Sequence, residues 1–323
     1  RKSLRGYHMI IVTGGAGFIG SNLIRKLNSL GINDILLVES LEDGRKVRNI
    51  GDLNIVDYMD KSEFIQACSS TWDLSEVERV FHLGACVDTM EWDGKYMMES
   101  NFGYSKKLAL FCLQQRIPLV YASSGAVYGQ QSSFIETPQY ENPLNIYGYS
   151  KLLFDCFVRY HAKNPDSLIV GLRYFNVYGR GEEFKGSMAS VIPHFNRQMI
   201  ETGKIKLFDG SHGFAPGLQS RDFISVEDVV DVTLWFSEQS KAKTGIYNCG
   251  TGRSVTFQSV AETILNWHGV DGEIEYIPFP SELERSYQPY TCADLNKLRL
   301  SGYDREFKGV LKGVEEYLTW LNS

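Results

Sequence analysis

The sequence has few of the features that mark secreted, metal-binding, membrane or nucleic-acid-binding proteins. Its six cysteines are scattered, with no CxxC pair and no Cys/His ligand spacing, which argues against a metal centre and a disulfide framework. There is no apolar run long enough to span a bilayer and no secretory leader. The net charge of −6 argues against general nucleic-acid binding. We therefore expect a cytoplasmic protein with free thiols, no metal, and no membrane or nucleic-acid partner.

The chain of 323 residues is long enough to bury a substantial core in one large or two modest domains. Residues 1–8 precede a natural-looking start at Met9, and we interpret them as the remnant of an expression tag. Over residues 9–175, strand and helix patterns alternate, which predicts an α/β domain with a doubly wound parallel sheet. The alternation decays over residues 176–323. This part predicts a smaller α/β substrate domain, from which some segments return to the first.

The segment Met9–Gly20 carries the clearest functional pattern. Three β-branched residues, Ile10 to Val12, predict a buried strand, and helical periodicity begins at Phe18. Between them, Gly15-x-Gly17-x-x-Gly20 fits the dinucleotide fingerprint, whose glycines permit a tight turn and close approach to a pyrophosphate. The helix N-terminus would offer free N–H groups to the phosphates. The pattern predicts a Rossmann-type NAD(P) site that includes Gly14, Gly17 and Gly20.

Glu39 ends the second apolar run, Ile35–Val38, about 20 residues after the last glycine of the fingerprint. Its carboxylate could accept hydrogen bonds from the adenosine ribose, which favours NAD. Arg45 and Lys46 follow in a polar turn and could instead pair with a 2′-phosphate, which favours NADP. A solvated loop is the plain alternative. The pattern is compatible with both cofactors.

Further strands are predicted at Asn54–Asp57, Arg79–Ala85, Pro118–Ser124 and Leu168–Phe175, with a long helix over 95–115. We interpret His82 as a packed strand residue rather than a catalyst, and Lys106 and Lys107 as a solvated helix face. Later segments are less regular. There the patterns predict a loop at 211–220, strands at 205–208, 246–249 and 274–277, and helices near 188–202, 226–238, 257–268 and 308–321.

Tyr147 and Lys151 form a Tyr-x-x-x-Lys pair with a definite chemical use. They lie four residues apart at the start of a predicted helix and share one face. A phenol titrates near pH 10, roughly, and an ammonium one turn away favours the phenolate. The lysine can also hold the nicotinamide ribose, and Ser124, at the carboxyl end of a strand, can bind the reacting oxygen. Together these groups can remove a proton from a secondary alcohol during hydride transfer.

Four motifs occur in the order found in a known family: Thr13-Gly-x-x-Gly-x-x-Gly20, Ser123-Ser124-x-x-Val-Tyr-Gly129, Tyr147-x-x-x-Lys151 and Arg173-Tyr-Phe-Asn-Val-Tyr-Gly179. On these motifs the chain resembles the extended short-chain dehydrogenase/reductases that act on nucleotide sugars. It also resembles one group of that family, the ADP-L-glycero-D-manno-heptose 6-epimerases, in Glu91–Met98, Lys185–Val191 and Tyr276–Pro280. The resemblance extends from Met9 essentially to the C-terminus.

The resemblance implies an isomerase with no net redox change, supplying heptose for lipopolysaccharide. Tyr147 would act on the substrate hydroxyl while C6 of ADP-heptose is oxidised to a ketone by bound NADP, and Lys185 would be the second acid/base group. A homo-oligomer, commonly a pentamer, is also implied. The implied cofactor contacts are Phe18, Ile19, Glu39, Ser40, Lys46, Lys61, Leu83, Gly84, Ala85, Cys86, Val87, Ser100, Lys151 and Val177. The implied substrate contacts are Asn176, Ser187, His194, Phe208, Asp209, Gly210, Ser211, Arg221 and Tyr287, and Arg221 and His194 suit a diphosphate.

The sequence departs from the pattern of this family at two places. The loop Ser211–Ser220 is longer than the pattern requires and adjoins Arg221. Asp88 stands where a small hydroxyl residue is usual, and it brings a negative charge towards the expected cofactor site.

Three alternative functions remain to be weighed. A dehydratase of this family needs an Asp-Glu pair just after the hydroxyl residue, and here Ser124 is followed by Gly125-Ala126. A UDP-hexose 4-epimerase shares the core motifs and stays open as a second candidate. A dinucleotide-binding regulator without catalysis would be expected to have lost the Ser/Tyr/Lys set, which is complete here.

Overall fold

The computed structural model describes residues 9–69, 76–163, 165–269 and 272–323, so the predicted tag remnant lies outside the described residues. The strands are β1 Met9–Thr13, β2 Ile35–Glu39, β3 Asp57–Asp60, β4 Val77–His82, β5 Leu119–Ser124, β6 Ile169–Tyr174, β7 Asn176–Tyr178, β8 Lys204–Phe208, β9 Ser220–Ser225, β10 Gly245–Cys249, β11 Ser254–Thr256 and β12 Glu273–Ile277. The α-helices are α1 Phe18–Ser29, α2 Val47–Ile50, α3 Lys61–Ala67, α4 Gly94–Met97, α5 Tyr104–Gln115, α6 Ile146–His161, α7 Val191–Thr202, α8 Val226–Ser237, α9 Phe257–His268, α10 Asn296–Leu300 and α11 Val310–Leu321.

The chain forms two compact units. Among the described residues, unit 1 contains the chain from Met9 to Ser123 together with Ser150–Leu172 and Val230–Tyr247. Unit 2 contains Ser124–Tyr149, Arg173–Val229 and Asn248–Ser323. The chain therefore passes between the units several times; the sequence predicts a main boundary after residue 175, with some later segments returning to the first domain.

A seven-stranded sheet with the strand order β10-β6-β5-β4-β1-β2-β3 is the main sheet of the fold. β1 pairs in parallel with β2 and β4, and the β2–β3 and β4–β5 pairs are parallel as well. The apolar runs Ile10–Val12 and Ile35–Val38 are buried, as expected for strands covered on both faces. The predicted Rossmann-like α/β fold is confirmed. Its strand order changes direction between β1 and β4, which is where such folds bind ligands.

Two predicted strand ranges are displaced from the observed ones. β3 begins at Asp57, three residues later than the predicted start at Asn54, because the Asn28 side chain bonds both the N–H and the carbonyl of Asn54. β4 ends at His82 rather than Ala85, since the chain then turns to pass close to Gly14. The predicted long helix is present but contains a π-helical turn, Met98–Gly103, between α4 and α5.

Unit 2 contains a three-stranded sheet, β11-β9-β7, and a two-stranded parallel sheet of β12 and β8. Helices α7, α9 and α11 contribute residues such as Phe195, Ile264 and Val314 to a common apolar core. The strands predicted at 205–208 and 274–277 are the two that pair as β8 and β12. Helices are also present where the sequence predicts them near 226–238 and 257–268.

β9 is a buried strand that the apolar pattern does not reveal. Arg221 and Asp222 interrupt its hydrophobic residues, and both are buried. The Asp222 carboxylate accepts hydrogen bonds from the backbone N–H groups of Thr251, Gly252 and Ala293, which compensate its burial. β10 also differs from expectation, because it joins the edge of the seven-stranded sheet rather than a sheet of the smaller region.

All six cysteines lie in the described residues, and each is a free thiol. Over the same residues, no group of three or more His, Cys, Asp or Glu side chains is arranged to hold a metal ion. No helix in the described part of the chain has both the length and the apolar character that a membrane span requires.

Candidate active site

A cavity of about 610 Å³ opens in unit 1 where β1, β2 and β4 end. Its walls include the residues that directly follow these strands, among them Gly14, Ser40 and Gly84. The cavity therefore brings together the following predicted cofactor residues: Gly14, Glu39, Ser40, Lys46, Lys61, Gly84, Ala85, Cys86 and Ser100.

The glycine turn fits a dinucleotide pyrophosphate. Gly14 has a φ of +71°, and a Cβ atom there would lie 2.5 Å from the backbone nitrogen of Gly84. A Cβ atom at Gly20 would collide with the carbonyl oxygen of Gly14. Gly17 precedes α1 without a side-chain cap, so the first N–H groups, at Phe18 and Ile19, can receive a phosphate. Close backbone approach and an uncapped helix are what the fingerprint predicts.

Charged side chains at and beside the end of this cavity that contains Glu39 are already paired with one another. The Glu39 carboxylate accepts from the backbone N–H of Ser40 at 2.9 Å and from Lys46 Nζ at 3.1 Å. Lys46 Nζ also donates to the Ser40 carbonyl at 3.0 Å. Arg45 is held by Asp43, with 2.7 Å between Nη2 and Oδ2. Lys46 can therefore neutralise either Glu39 or a 2′-phosphate, and the geometry is compatible with NAD and NADP.

The sequence did not indicate every residue of this cavity; among those it missed are Tyr104 and Lys107, which lie one turn apart on α5. The Tyr104 hydroxyl is buried and has no hydrogen-bond partner among the described residues. A bound ligand could supply that partner. Lys107 is exposed, as predicted for a solvated face, but it also lines the cavity. Their spacing with Ser100 on one helix face was the available signal.

Asn101 is another residue that the sequence did not indicate. It lies in the π-helical turn and is 2% exposed. Its side chain accepts from the backbone N–H of Cys86 at 2.8 Å and donates to the Cys86 carbonyl at 2.9 Å. The same amide donates to Ser150 Oγ at 3.1 Å. Asn101 thus fixes the turn after β4 and contacts the residue that precedes Lys151.

One strand and one helix position Ser124, Tyr147 and Lys151. Ser124 ends β5, and its Oγ accepts from the Ala126 N–H at 3.1 Å, which leaves the hydroxyl proton available for donation. Tyr147 lies in the first turn of α6. A Cβ atom at the adjacent Gly148 would lie 2.8 Å from the Ala126 carbonyl oxygen, so glycine lets the helix start approach the turn after Ser124.

Lys151 anchors α6 to the same strand. Its Nζ donates to the Ala122 carbonyl at 3.0 Å, two residues before Ser124. One turn later, the Asp155 carboxylate accepts from Tyr121 Oη and Ser123 Oγ, both at 2.9 Å. Burial lowers the pKa of Lys151 to about 8, although the charge of Asp155 opposes this shift. Lys151 can therefore act as a fixed cation at neutral pH.

Lys185 lies in a short 3₁₀ segment, Glu183–Met188, of unit 2. Burial lowers its pKa, and the carboxylate of Glu182 acts in the opposite direction. Glu182 is fully buried and closes this loop by accepting from the N–H of Gly179 and from the N–H and hydroxyl of Ser190. A half-buried lysine with a lowered pKa is suited to acid/base chemistry.

Unit 2 contains its own cavity of about 300 Å³. Phe208 and Tyr287, both predicted substrate contacts, line it, together with Phe195 and Phe257, which the sequence did not indicate. Phe208 is the last residue of β8, and it is followed by Asp209, Gly210 and Ser211. The Gln219 side chain holds this turn by donating to the Asp209 carbonyl and to Ser211 Oγ, both at 3.0 Å. These two bonds tie the last part of the long loop 211–220 to its start, next to the end of β8.

Arg221 is a buried cation on β9. Its guanidinium carbon lies 4.8 Å from the ring centre of Tyr287 and 5.3 Å from that of Phe257, and Nη1 donates to the Ser220 carbonyl. Burial lowers the pKa of Arg221, which marks its charge as poorly compensated. No carboxylate pairs with it within the described part of the chain. A buried guanidinium of this kind suits a diphosphate.

The remaining predicted residues are placed as follows. His194 Nδ1 accepts from Arg197 at 3.1 Å, and burial followed by the Arg197 charge lowers the pKa of His194. Asn176 Oδ1 accepts from Thr291, Val177 is the central residue of β7, and Ser187 is exposed. Leu83 and Val87 lie in the turn after β4 but do not line the unit 1 cavity. Asp88 is exposed and accepts from the Met90 N–H, so its charge caps a turn and does not line that cavity.

Solved structures of several nucleotide-sugar enzymes share this fold. An ADP-L-glycero-D-manno-heptose-6-epimerase from Helicobacter pylori is 24% identical, with a TM-score of 0.81 and coverage of 100% of this chain and 99% of that one. A UDP-N-acetylglucosamine 4-epimerase from Methanobrevibacter ruminantium, in complex with UDP-N-acetylmuramic acid, is 23% identical, with a TM-score of 0.83 and 98% coverage of both chains. A UDP-glucose 4-epimerase with UDP-glucose from Thermotoga maritima is 26% identical, with a TM-score of 0.78 and coverage of 97% and 98%.

The parallel sheet, the glycine turn and the Tyr-x-x-x-Lys helix define a Rossmann-like enzyme of the kind that uses a nicotinamide dinucleotide. The family model described as the NAD dependent epimerase/dehydratase family matches residues 10–250. The chain belongs to this family.

Proposed function

We propose that this protein epimerises C6 of ADP-D-glycero-D-manno-heptose to give ADP-L-glycero-D-manno-heptose, through a transient 6-keto sugar. The position of Ser124 at the end of β5, with Tyr147 and Lys151 one turn apart on α6, is the observation that supports the proposal. The small residues Gly125 and Ala126 after Ser124 leave no carboxylate pair for a dehydration. The supply of heptose for lipopolysaccharide, a cytoplasmic location and a homo-oligomer, such as a pentamer, belong to the same proposal.

The residues divide the acid/base work between them. Ser124 donates a hydrogen bond to the reacting oxygen at C6, and Tyr147 takes the hydroxyl proton from that oxygen. The Lys151 cation stabilises the phenolate of Tyr147. On the return step, when the opposite face of the ketone is reduced, Lys185 donates the proton that converts the ketone oxygen back to a hydroxyl. When bound, NADP would supply the group that accepts hydride and returns it.

Two features of unit 2 suit a nucleoside diphosphate. The aromatic side chains of Phe195, Phe208 and Phe257 give the 300 Å³ cavity apolar walls, on which a flat base can stack. Arg221 on β9 packs against Tyr287, which lines this cavity, and would bind the diphosphate.

A substrate panel tests the proposed sugar nucleotide. We expect ADP-D-glycero-β-D-manno-heptose to be converted at least 100-fold faster than UDP-glucose or UDP-N-acetylglucosamine, because specific contacts to the correct base and sugar lower the barrier only for it. Product ratios by NMR provide the measurement. The second candidate, a UDP-hexose 4-epimerase, is favoured by the 26% identity to the Thermotoga enzyme. Preferential turnover of UDP-glucose would establish it instead.

Lys46→Gln tests the cofactor preference. We expect NADP binding to weaken about tenfold and NAD binding to change little, because only a 2′-phosphate needs the lysine charge. Titration with each dinucleotide provides the measurement. Arg45→Gln is the matched control, since Arg45 is adjacent but its side chain is 78% exposed and held by Asp43. Equal weakening of NAD and NADP by Lys46→Gln would contradict a phosphate-binding role for Lys46.

Arg221→Lys tests the diphosphate site. Lysine keeps the charge but lacks the planar fork, so we expect the KM for the sugar nucleotide to rise about tenfold with cofactor affinity unchanged. Arg299→Lys is a matched control in the same unit, because Arg299 also packs over two aromatic rings, Tyr303 and Phe307. If both variants raise KM equally, the effect is one of packing and Arg221 does not bind the diphosphate.

A further inference from the structure

A buried chain of hydrogen bonds leads away from the unit 1 cavity, and the proposed proton-transfer steps do not use it. Thr13 Oγ1 is 2.7 Å from His82 Nδ1, and His82 Nε2 is 2.7 Å from Ser105 Oγ. Ser105 Oγ donates to the Asn101 carbonyl. At the other end, the Gly84 N–H donates to Thr13 Oγ1 at 3.3 Å. Thr13, His82 and Ser105 are 2%, 4% and 4% exposed, so water does not compete for these bonds.

The groups at the two ends of this chain of hydrogen bonds, the Asn101 carbonyl and the Gly84 N–H, determine the direction of every bond in it. Ser105 gives its one hydroxyl proton to the Asn101 carbonyl, so it can only accept from His82, and Nε2 must carry a proton. Nδ1 of a neutral imidazole is then an acceptor, and the Thr13 hydroxyl donates to it. Thr13 Oγ1 in turn accepts from the Gly84 N–H. Only the neutral Nε2–H tautomer satisfies all four contacts.

The surroundings of His82 keep it in this neutral form. Burial, with a smaller effect from the charge of Lys151, lowers the pKa of His82 to about 3. The imidazole also stacks on Tyr104, with 5.7 Å between ring centres and 20° between planes. These contacts hold the ring orientation that the chain of hydrogen bonds requires.

This chain of hydrogen bonds joins the turns at Gly14 and Gly84, which approach each other at the unit 1 cavity. Thr13 precedes Gly14, and its carbonyl accepts from the Leu83 N–H at 3.0 Å, while its hydroxyl accepts from the Gly84 N–H. Both Gly14 and Gly84 line the cavity. The hydroxyl of Thr13 keeps this orientation only while His82 accepts its proton. His82, which does not line the cavity, therefore controls the separation of the two turns through its bond to Thr13.

We propose that His82 is a positioning residue for the dinucleotide, holding the Gly14 and Gly84 turns at the separation that the pyrophosphate requires. The inference rests on the proposed cofactor site and not on the identity of the sugar, so it is tested by binding alone. His82 makes no contact with the cavity and is not a catalytic residue. Its effect passes through Thr13.

His82→Phe in the full chain, cleared of co-purified dinucleotide, provides the test. Phenylalanine can stack on Tyr104 but lacks both ring nitrogens, so we expect NAD and NADP to bind about tenfold more weakly. AMP should bind as in the wild type, because it lacks the second phosphate and the nicotinamide half. A purely structural role would weaken AMP and the dinucleotides alike. His82→Asn, whose Oδ1 can still accept from Thr13, should restore much of the dinucleotide affinity.

Ser167→Ala is the matched control, since Ser167 is also buried in unit 1 and donates to the Ile117 carbonyl at 3.3 Å, outside the cavity lining. Ser167→Ala should change neither the affinity for AMP nor the affinity for the dinucleotides. If His82→Phe does not fold, Ser105→Ala carries the test, because it removes the acceptor for His82 Nε2–H and changes no residue of either turn. Unchanged dinucleotide affinity in either folded variant, or equal loss of AMP and dinucleotide binding, would overturn the proposal. If the wild-type protein binds neither NAD nor NADP, the proposed cofactor site itself is refuted.

Discussion

Replacement of Tyr147 by phenylalanine is expected to reduce turnover by about 10²- to 10⁴-fold while the dinucleotide stays bound. The variant loses the hydroxyl that exchanges a proton with the substrate and keeps the ring. The start of α6 should be unchanged, because the Asn145 side chain still caps the Gly148 N–H at 2.8 Å and Lys151 still bonds to Ala122. Initial rates and the dinucleotide released on denaturation, measured on one preparation, check the prediction.

Tyr149→Phe is the matched control for this experiment. Tyr149 lies two residues further along the same helix, and it is 47% exposed. Its variant should retain wild-type turnover. A loss of bound dinucleotide in parallel with activity in Tyr147→Phe would mean that Tyr147 stabilises the fold and does not act in proton transfer.

Lys151→Met is expected to lower turnover at least 100-fold, because it removes the cation that we propose stabilises the phenolate of Tyr147. It should also change how stability depends on pH. Burial lowers the pKa of Lys151 from its ordinary value of 10.5 to about 8. Between these values the unfolded chain binds a proton that the folded chain lacks, so stability rises with pH through this window. The penalty for burying the cation is fully present below about pH 8.

Methionine carries no titrating group, so the variant lacks this contribution at every pH. The free energy of unfolding of the wild type should therefore rise by roughly 3 kcal/mol relative to Lys151→Met between about pH 8 and pH 10.5. Urea unfolding at several pH values measures the difference, and other titrating groups largely cancel between the two proteins. A difference that stays constant with pH would show that the folded protein imposes no burial penalty on Lys151.

The parts of the fold that bury continuous apolar runs were predictable from the sequence. β1 and β2 consist of β-branched and aliphatic residues, and the glycine turn between β1 and α1 has few physical alternatives. β9 was missed because Arg221 and Asp222 are buried through interactions with residues distant in sequence, among them Thr251 and Tyr287. Local periodicity contains no information about such partners.

The same distinction applies to the candidate site. Ser124, Tyr147 and Lys151 were predictable because a strand end and one helical turn fix their places locally. Phe195 and Phe257 were not, because they line the unit 2 cavity only after α7, β8, α9 and β12 pack together. His82 was correctly interpreted as a packed strand residue, but its bonds to Thr13 and Ser105 join residues that are far apart in sequence.

Conversion of ADP-D-glycero-β-D-manno-heptose deuterated at C6, followed by NMR with no added cofactor, is the most direct test of the proposed reaction. We expect the L-glycero isomer to appear with deuterium retained at C6, and we expect Tyr147→Phe to stop its formation. Absence of the L-glycero isomer, even after addition of NADP and then NAD, or its formation with loss of deuterium to water, would contradict the proposed epimerisation.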